Sequence, residues 1–353
     1  MKIDVMTGHI GGRGGVQVVI DAWWENLSEE YDLRFLAPAG LSEDSWTEKY
    51  PNREVKSYTH LPRPIRMLAT VWSLYRYMAT TNSDLVIVEN FKMVPQLMFW
   101  KKVLQKEIKV VSWMHQTLHL ENMAPRLKNA DAHLAIASGI KEQLLEVGVP
   151  EESIYLIYNP MKETSQIIPR TSNGVKRFIY VGRGMLHGQK NMSELFDALA
   201  LLQSPDWVLE LYGVSAEENP ELLSYLESKG IEKHVVFKGW VSSPFDNMGS
   251  ADVLVLTSKF EGFGLVLLEA IQRGVPVISS DIKVGPRDFV QEKVNGYLYE
   301  PGNIKELAGK LSSILDGEHD FPVEDMKKSV EKFAEDRYFI KVKNTLEAIV
   351  KGK

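Results

Sequence analysis

Short apolar runs recur along the chain, each followed by a stretch long enough for one helix. Lys2 to Thr7, Leu33–Ala37, Leu85–Glu89, Lys109–Trp113 and Ala132–Ala137 are rich in Val, Ile and Leu, with helical spacing of apolar residues between them. Runs that stay apolar at nearly every position suit strands buried on both faces, so the pattern predicts a parallel sheet with crossover helices. The rhythm breaks at Met161 to Asn173, a polar segment without periodicity that reads as a linker. It then resumes at Arg177–Arg183 and continues through Trp207–Tyr212, Val235–Lys238, Ala251 to Thr257 and Val275–Ser279. The expected organisation is α/β: a Rossmann-like domain over 1–160, a linker over 161–174, a second Rossmann-like domain over 175–335 and an amphipathic helix over 336–353.

Composition narrows the function classes. At 353 residues the chain has room for two domains with separate cores. No apolar run is long enough to cross a bilayer, and MKIDVMTGHI lacks the basic and apolar regions of a signal peptide, so a cytoplasmic protein is expected. Zero cysteines exclude disulfides and thiolate metal sites. The net charge of −6 argues against a nucleic-acid partner. Charge is uneven, however: Pro51 to Ala130 carries 12 Lys or Arg against 5 Asp or Glu. Within it, Leu61 to Met78 reads as a basic amphipathic helix bearing Arg63, Arg66 and Arg76, and Met98-Phe99-Trp100 precedes Lys101 and Lys102. Such a surface suits peripheral contact with an anionic membrane; a core-facing helix whose arginines reach solvent is the alternative.

The densest chemistry lies at Glu261-Gly262-Phe263-Gly264-Leu265-Val266-Leu267-Leu268-Glu269. A buried strand precedes it and a helix over Leu265 to Arg273 follows, which puts Glu261 in a loop at a strand's carboxyl end and Glu269 about two turns into the helix. Gly262 and Gly264 let amides at the positive end of the helix dipole approach a phosphate, and the two carboxylates suit hydroxyls of sugar and ribose. Solvated or capping glutamates are the plain alternative. After the first strand, His9 to Gly15 (HIGGRGG) opens a helix, but Gln17 stands where the third glycine of a dinucleotide fingerprint belongs and no Walker lysine follows. No Asp-x-Asp pair is present, and His115-Gln116-Thr117-Leu118-His119, which could put two imidazoles on one helical face, lacks a metalloprotease glutamate, so no metal is expected. His115 directly follows a strand and, with an ordinary pKa near 6.5, could relay a proton at neutral pH; positioning is the more cautious role and a satisfied structural histidine the plain alternative.

Ser258 to Ala270, followed by Gly274-Val275-Pro276-Val277-Ile278, closely resembles the E-x7-E signature of the retaining GT-B glycosyltransferases of family GT4, and the resemblance extends over nearly the whole chain. It implies two Rossmann-like domains facing across a cleft, with the last helix crossing back to the first domain. It also implies retaining, metal-independent transfer of a hexose, galactose or glucose by preference, from a UDP-sugar to a cell-surface glycan or glycolipid. Val181 to Asn191 (VGRGMLHGQKN) resembles the family's element whose arginine and lysine offset the charge of a departing diphosphate, a role that falls to Arg183 and Lys190. By the same resemblance Glu261, Gly262, Phe263, Gly264, Leu265 and Glu269 bind the donor together with Gly15 and Gln17, while Gly14 and His115 lie on the acceptor side. Ser280 to Asp288 departs from the family pattern by placing Gly285-Pro286-Arg287-Asp288 where a Gly-Gly pair and Pro-Glu are common, which leaves the donor sugar open. Asn295 to Tyr299 reads as a turn. A degenerate binding subunit and a nucleotide-sugar epimerase are the rival readings.

Overall fold

The computed structural model describes residues 1–353 apart from 9–13, 42, 44, 57, 59, 121, 122, 173, 319 and 353. The chain divides into two compact units, Met1–Pro160 with Asp336–Lys353, and Met161–Glu335. In the first, strands β1 (Lys2–Met6), β2 (Asp32–Ala37), β3 (Arg53–Val55), β4 (Leu85–Val88), β5 (Lys109–Met114), β6 (Ala132–Ala135) and β7 (Ile154–Leu156) form one sheet in the order β3-β2-β1-β4-β5-β6-β7. All pairs are parallel. The helices are α1 (Gly15–Leu27), α2 (Arg63–Thr80), α3 (Val94–Val103), α4 (Ala124–Leu127) and α5 (Ser138–Glu146).

The second unit repeats the plan. Strands β8 (Lys176–Val181), β9 (Trp207–Tyr212), β10 (Val235–Gly239), β11 (Val253–Leu256), β12 (Val277–Ser280) and β13 (Gly296–Tyr299) lie parallel in the order β10-β9-β8-β11-β12-β13. Its helices are α6 (Met192–Leu199), α7 (Pro220–Lys229), α8 (Leu265–Gln272), α9 (Ile304–Leu315) and α10 (Val323–Val330), after which α11 (Glu335–Lys351) ends the chain. Central strands are sealed on both faces: every residue of β4 and β11 is buried, which is why they read as unbroken apolar runs.

Residues 161–172 form no helix or strand, in keeping with their pattern, yet they are bonded along the second unit. Met161 N–H donates to the Phe333 carbonyl at 2.8 Å, Ile168 N–H to Arg273 at 2.9 Å, and Thr171 Oγ1 to Asp252 at 2.7 Å. In the first unit α11 packs against α1, where the Trp23 indole donates to the Tyr338 hydroxyl at 2.8 Å.

Two topological switch points follow from the strand orders. In the first unit successive connections leave β1 in one direction and return to β4 on its other side; in the second, β8 and β11 stand in the same relation. Loops diverge at such points and leave a crevice beyond the carboxyl ends of the strands. Several expectations are corrected. Gly296–Tyr299 is an edge strand rather than a turn, the strand expected over Leu85–Glu89 stops at Val88, and His115 to His119 is not helical, so the two imidazoles share no helix face.

Candidate functional site

In the second unit the loop after β8 and the loop after β11 meet at the switch point. The Tyr180 hydroxyl donates to the Arg183 carbonyl at 2.8 Å and fixes the turn that follows β8. The Arg183 guanidinium is exposed and donates to Gln189 Oε1 at 3.2 Å; Gln189 Nε2 in turn donates to the Phe260 carbonyl at 3.3 Å. Lys259 N–H closes the junction on the Gln189 carbonyl at 2.8 Å. The two loops are thereby locked in register at the point where Lys190 Nζ donates to Glu261 Oε1 at 2.6 Å. Their side chains retain only 13% and 10% exposure, so the ion pair is largely removed from water. Thr257 Oγ1 donates to the Lys190 and Asn191 carbonyls, at 3.1 Å each, holding the backbone from which the lysine extends.

The Gly-rich turn is built for close backbone approach. Gly264 precedes α8 with φ of 89°, a left-handed conformation that side chains disfavour, and turns the first amides of α8 out of the β11 loop. Gly285, at φ of 101°, lies against the same turn: a Cβ there would stand 2.3 Å from the Phe263 carbonyl oxygen. The Gly-Pro-Arg-Asp departure from the family pattern is therefore packed on the E-G-F-G turn. The Phe263 ring is buried against Phe289 and Phe333, with centroids 5.3 and 5.6 Å away, so what this residue can offer a ligand is its backbone. Gly262 and Leu265 flank it, both half-buried.

Glu269 is the fifth residue of α8, little more than one turn in rather than two. Residue exposure makes it half-buried, but its carboxyl group sits deep enough that burial raises its pKa from 4.5 to about 7, against the attraction of Arg273 and with the repulsion of Asp246 adding to the rise. Among the described residues no hydrogen bond satisfies that carboxyl. A buried acid with spare bonding capacity suits hydroxyl groups.

The remaining candidate residues belong to the first unit. Gly14 caps α1 in an extended conformation, Gly15 begins it and Gln17 is half-exposed on its first turn; His9 to Arg13 of the preceding loop lie outside the described residues. His115 follows β5. Its ring stands edge-on to Trp113 with centroids 4.4 Å apart, and Trp113 packs on Trp23 at the same distance. Burial lowers the His115 pKa to about 3, which favours a neutral imidazole and so the positioning role over proton relay at neutral pH. Its Nε2 has no partner among the described residues. Lys101 also departs from expectation: Asp131 accepts from its ammonium with both oxygens, at 2.6 and 2.7 Å, so it adds little to a basic surface. Arg63, Arg66, Arg76 and Lys102 have no ion pair among the described residues. Nor do those residues contain a group of three His, Asp or Glu arranged to hold a metal ion.

Residues 13–163 match the model described as Glycosyltransferase Family 4, and residues 161–337 the model described as Glycosyl transferases group 1. The lipopolysaccharide 1,6-galactosyltransferase of Salmonella typhimurium is 30% identical over 98% of this chain and 98% of its own, and the Escherichia coli protein of that name is 30% identical over 96% of each. Among solved structures, the apo form of the lipopolysaccharide outer core galactosyltransferase WaaB is similar with a TM-score of 0.87 at 30% identity, covering 99% of both chains. Anabaena Alr3699/HepE in complex with UDP gives 0.80 at 20% identity, covering 99% of this chain and 100% of its own, a likeness of fold alone.

Proposed function

The chain belongs to the family 4, group 1 glycosyltransferases and has their GT-B pair of Rossmann-like domains, and from that premise we propose that it moves a hexose, galactose or glucose, from a UDP-sugar to a cell-surface glycan or glycolipid. Transfer retains anomeric configuration, with attack and departure on the same face of the sugar, and needs no metal ion. The observation that carries this reading is the Lys190–Glu261 pair, held at 2.6 Å at the switch point of the second unit. An ammonium has three donors, so Lys190 can keep Glu261 and still reach a phosphate oxygen. Arg183, exposed beside it, supplies a second fixed cation, and charge developing on the departing diphosphate is stabilised without reorganisation. Glu261 then receives hydroxyls of the donor sugar and Glu269 those of the ribose, while the first amides of α8 face phosphate. Gly14, Gly15, Gln17 and His115 are assigned to positioning from the first unit.

UDP release from UDP-galactose and UDP-glucose, with EDTA present, tests the assignment. Wild-type release that is lost in Glu261→Ala and Glu261→Gln, with a cooperative melting transition retained at a lower temperature, is expected. Unchanged release in both variants overturns the site. In the same buffer UDP at 100 times its Kd stabilises the protein by about 2.7 kcal/mol, whereas GDP and ADP leave it unmoved; a protein that no nucleotide stabilises and that releases no UDP is a degenerate binding module.

Peripheral membrane contact forms part of the proposal. Helix α2 buries only Leu74 and Met78 and exposes Met67, Leu68 and Trp72 at 62%, 71% and 61%. An aromatic line runs from Trp72 through Tyr75 and Trp100 to Phe99 on α3, with successive centroids about 5 Å apart. Exposed apolar residues ringed by Arg63, Arg66, Arg76 and Lys102 suit an anionic leaflet, each cation contributing about 1 kcal/mol. Co-sedimentation with phosphatidylglycerol vesicles, weakened by salt and by Arg63→Gln with Arg66→Gln, is expected; binding that is indifferent to both refutes it.

A further inference from the structure

The first unit's switch point carries, beside His115, a carboxylate and two polar groups that the donor site does not use. Glu89 immediately follows β4, the strand that pairs with β1 at that point, and its amide donates to the Met6 carbonyl at 2.9 Å. The pairing of Met6 with Val88 and of Val88 with Ser112 continues into the level of Thr7, Glu89 and Trp113, which places those three on one face of the sheet, with His115 two residues beyond Trp113. Thr7 Oγ1, Trp113 Nε1 and His115 Nε2 are all buried without a hydrogen-bond partner among the described residues. Each unmade bond costs about 1–3 kcal/mol, and three at one sheet end, carried at the ends of β1 and β5 on either side of β4, point to a place kept for function. Thr7 and Trp113 are sealed beneath, whereas Glu89 and His115 keep partial exposure.

Among the described residues Glu89 has one side-chain bond, from the Gly8 amide to Oε2 at 3.3 Å. Oε1 is left over. Burial raises its pKa, with only the Gly8 amide opposing, and no cation among the described residues contributes. A diphosphate would be repelled by such a group; a neutral polyol would not. Glu89 also directly follows β4, the first-unit strand that corresponds to β11; Glu261 comes further past β11, in the Gly-rich turn of the second unit.

We propose that Glu89 is an acceptor-binding residue that takes a hydroxyl of the incoming hexose on its free carboxyl oxygen, beside His115. The proposal rests on the glycosyl-transfer reading and deepens it by assigning a side chain to the acceptor's specificity.

Glu89→Gln is the informative variant, since the amide oxygen can still accept from Gly8 and the β1 loop keeps its anchor. Three quantities are compared with wild type: the thermal shift with UDP, slow UDP release from UDP-galactose alone, and release stimulated by octyl β-glucoside and octyl β-galactoside as acceptor probes. The first two are expected to stay within about twofold, while kcat/KM for the stimulating hexoside falls about tenfold or more, as loss of a hydrogen bond to a charged group predicts. A purely structural Glu89 moves the first two with the third. Equal kcat/KM in variant and wild type, a parallel fall in all three, or wild-type release that neither hexoside stimulates overturns the inference while leaving the donor site standing. Wild-type protein that neither binds UDP nor releases it overturns the transfer reading, and the inference falls with it.

Discussion

Replacing Glu269 by Gln removes an ionisable carboxyl while keeping its shape. Burial holds the Glu269 pKa at about 7 against an ordinary 4.5, so the fold prefers the protonated acid. A group whose pKa is raised on folding gives its full stabilisation below the unfolded value and loses it as pH rises through the folded one, so the window here runs from 4.5 to 7. The whole difference corresponds to about 3 kcal/mol, most of which falls between pH 5 and pH 8. Solvent reaching this half-buried residue reduces the expected effect to about 1–2 kcal/mol. In a unit of this size that is about 2–8 °C in Tm. Wild type and Glu269→Gln are to be melted in parallel from pH 5 to pH 8; titrations common to both cancel, and the wild type loses ground to the variant as pH rises. Saturating UDP should shrink that slope, because ribose hydroxyls donating to the carboxylate favour its ionised form and draw the pKa down. A Tm difference that stays flat with pH refutes the buried-acid account of Glu269, and a slope that UDP leaves unaltered refutes its contact with ribose.

Lys190→Met and Glu261→Gln should each cost about 2–3 kcal/mol of stability, since either leaves a largely desolvated partner, and the double variant should cost at least 1 kcal/mol less than their sum; a thermodynamic cycle by denaturant titration checks this, and strict additivity contradicts the pairing. His115 should remain neutral throughout pH 5–8, because burial holds its pKa at about 3: protonation is deferred well below the ordinary 6.5, and the fold loses stability only as pH falls through that range. An imidazole NMR titration with a midpoint above 5 contradicts it. Asp4, 1% exposed, accepts from Arg34 at 2.8 and 2.9 Å and from the Tyr77 hydroxyl at 2.6 Å, which fastens α2 to β1. Asp4→Ala removes the acceptor of the buried Tyr77 hydroxyl and the partner of the part-exposed Arg34, and a loss of about 2–3 kcal/mol is expected in urea unfolding; a loss under 1 kcal/mol refutes the anchoring role.

What the sequence made legible tracks how each feature is stabilised. Strands buried on both faces declare themselves, as β4 and β11 did, because every position is apolar; β3, β7 and β13 escaped because an edge strand of three or four residues is held by one neighbour's backbone and needs no such pattern. The Gly-rich turn and its helix were readable because their requirements are local. The Lys190–Glu261 bond was not, since it joins residues 71 apart whose loops meet only because β8 and β11 are neighbours in the sheet. Nor was the His115 pKa, which is set by burial in the folded unit, where its ring lies edge-on to Trp113 and Trp113 in turn meets Trp23 from α1, far off in sequence. Glu89 falls between these cases. Its place at a strand's carboxyl end was as visible as that of His115, and it was passed over because the apolar run was read through it as the last residue of the strand. Only the strand order, which puts β4 beside β1, turns that terminal glutamate into a side chain at the crevice where the first unit can receive a ligand.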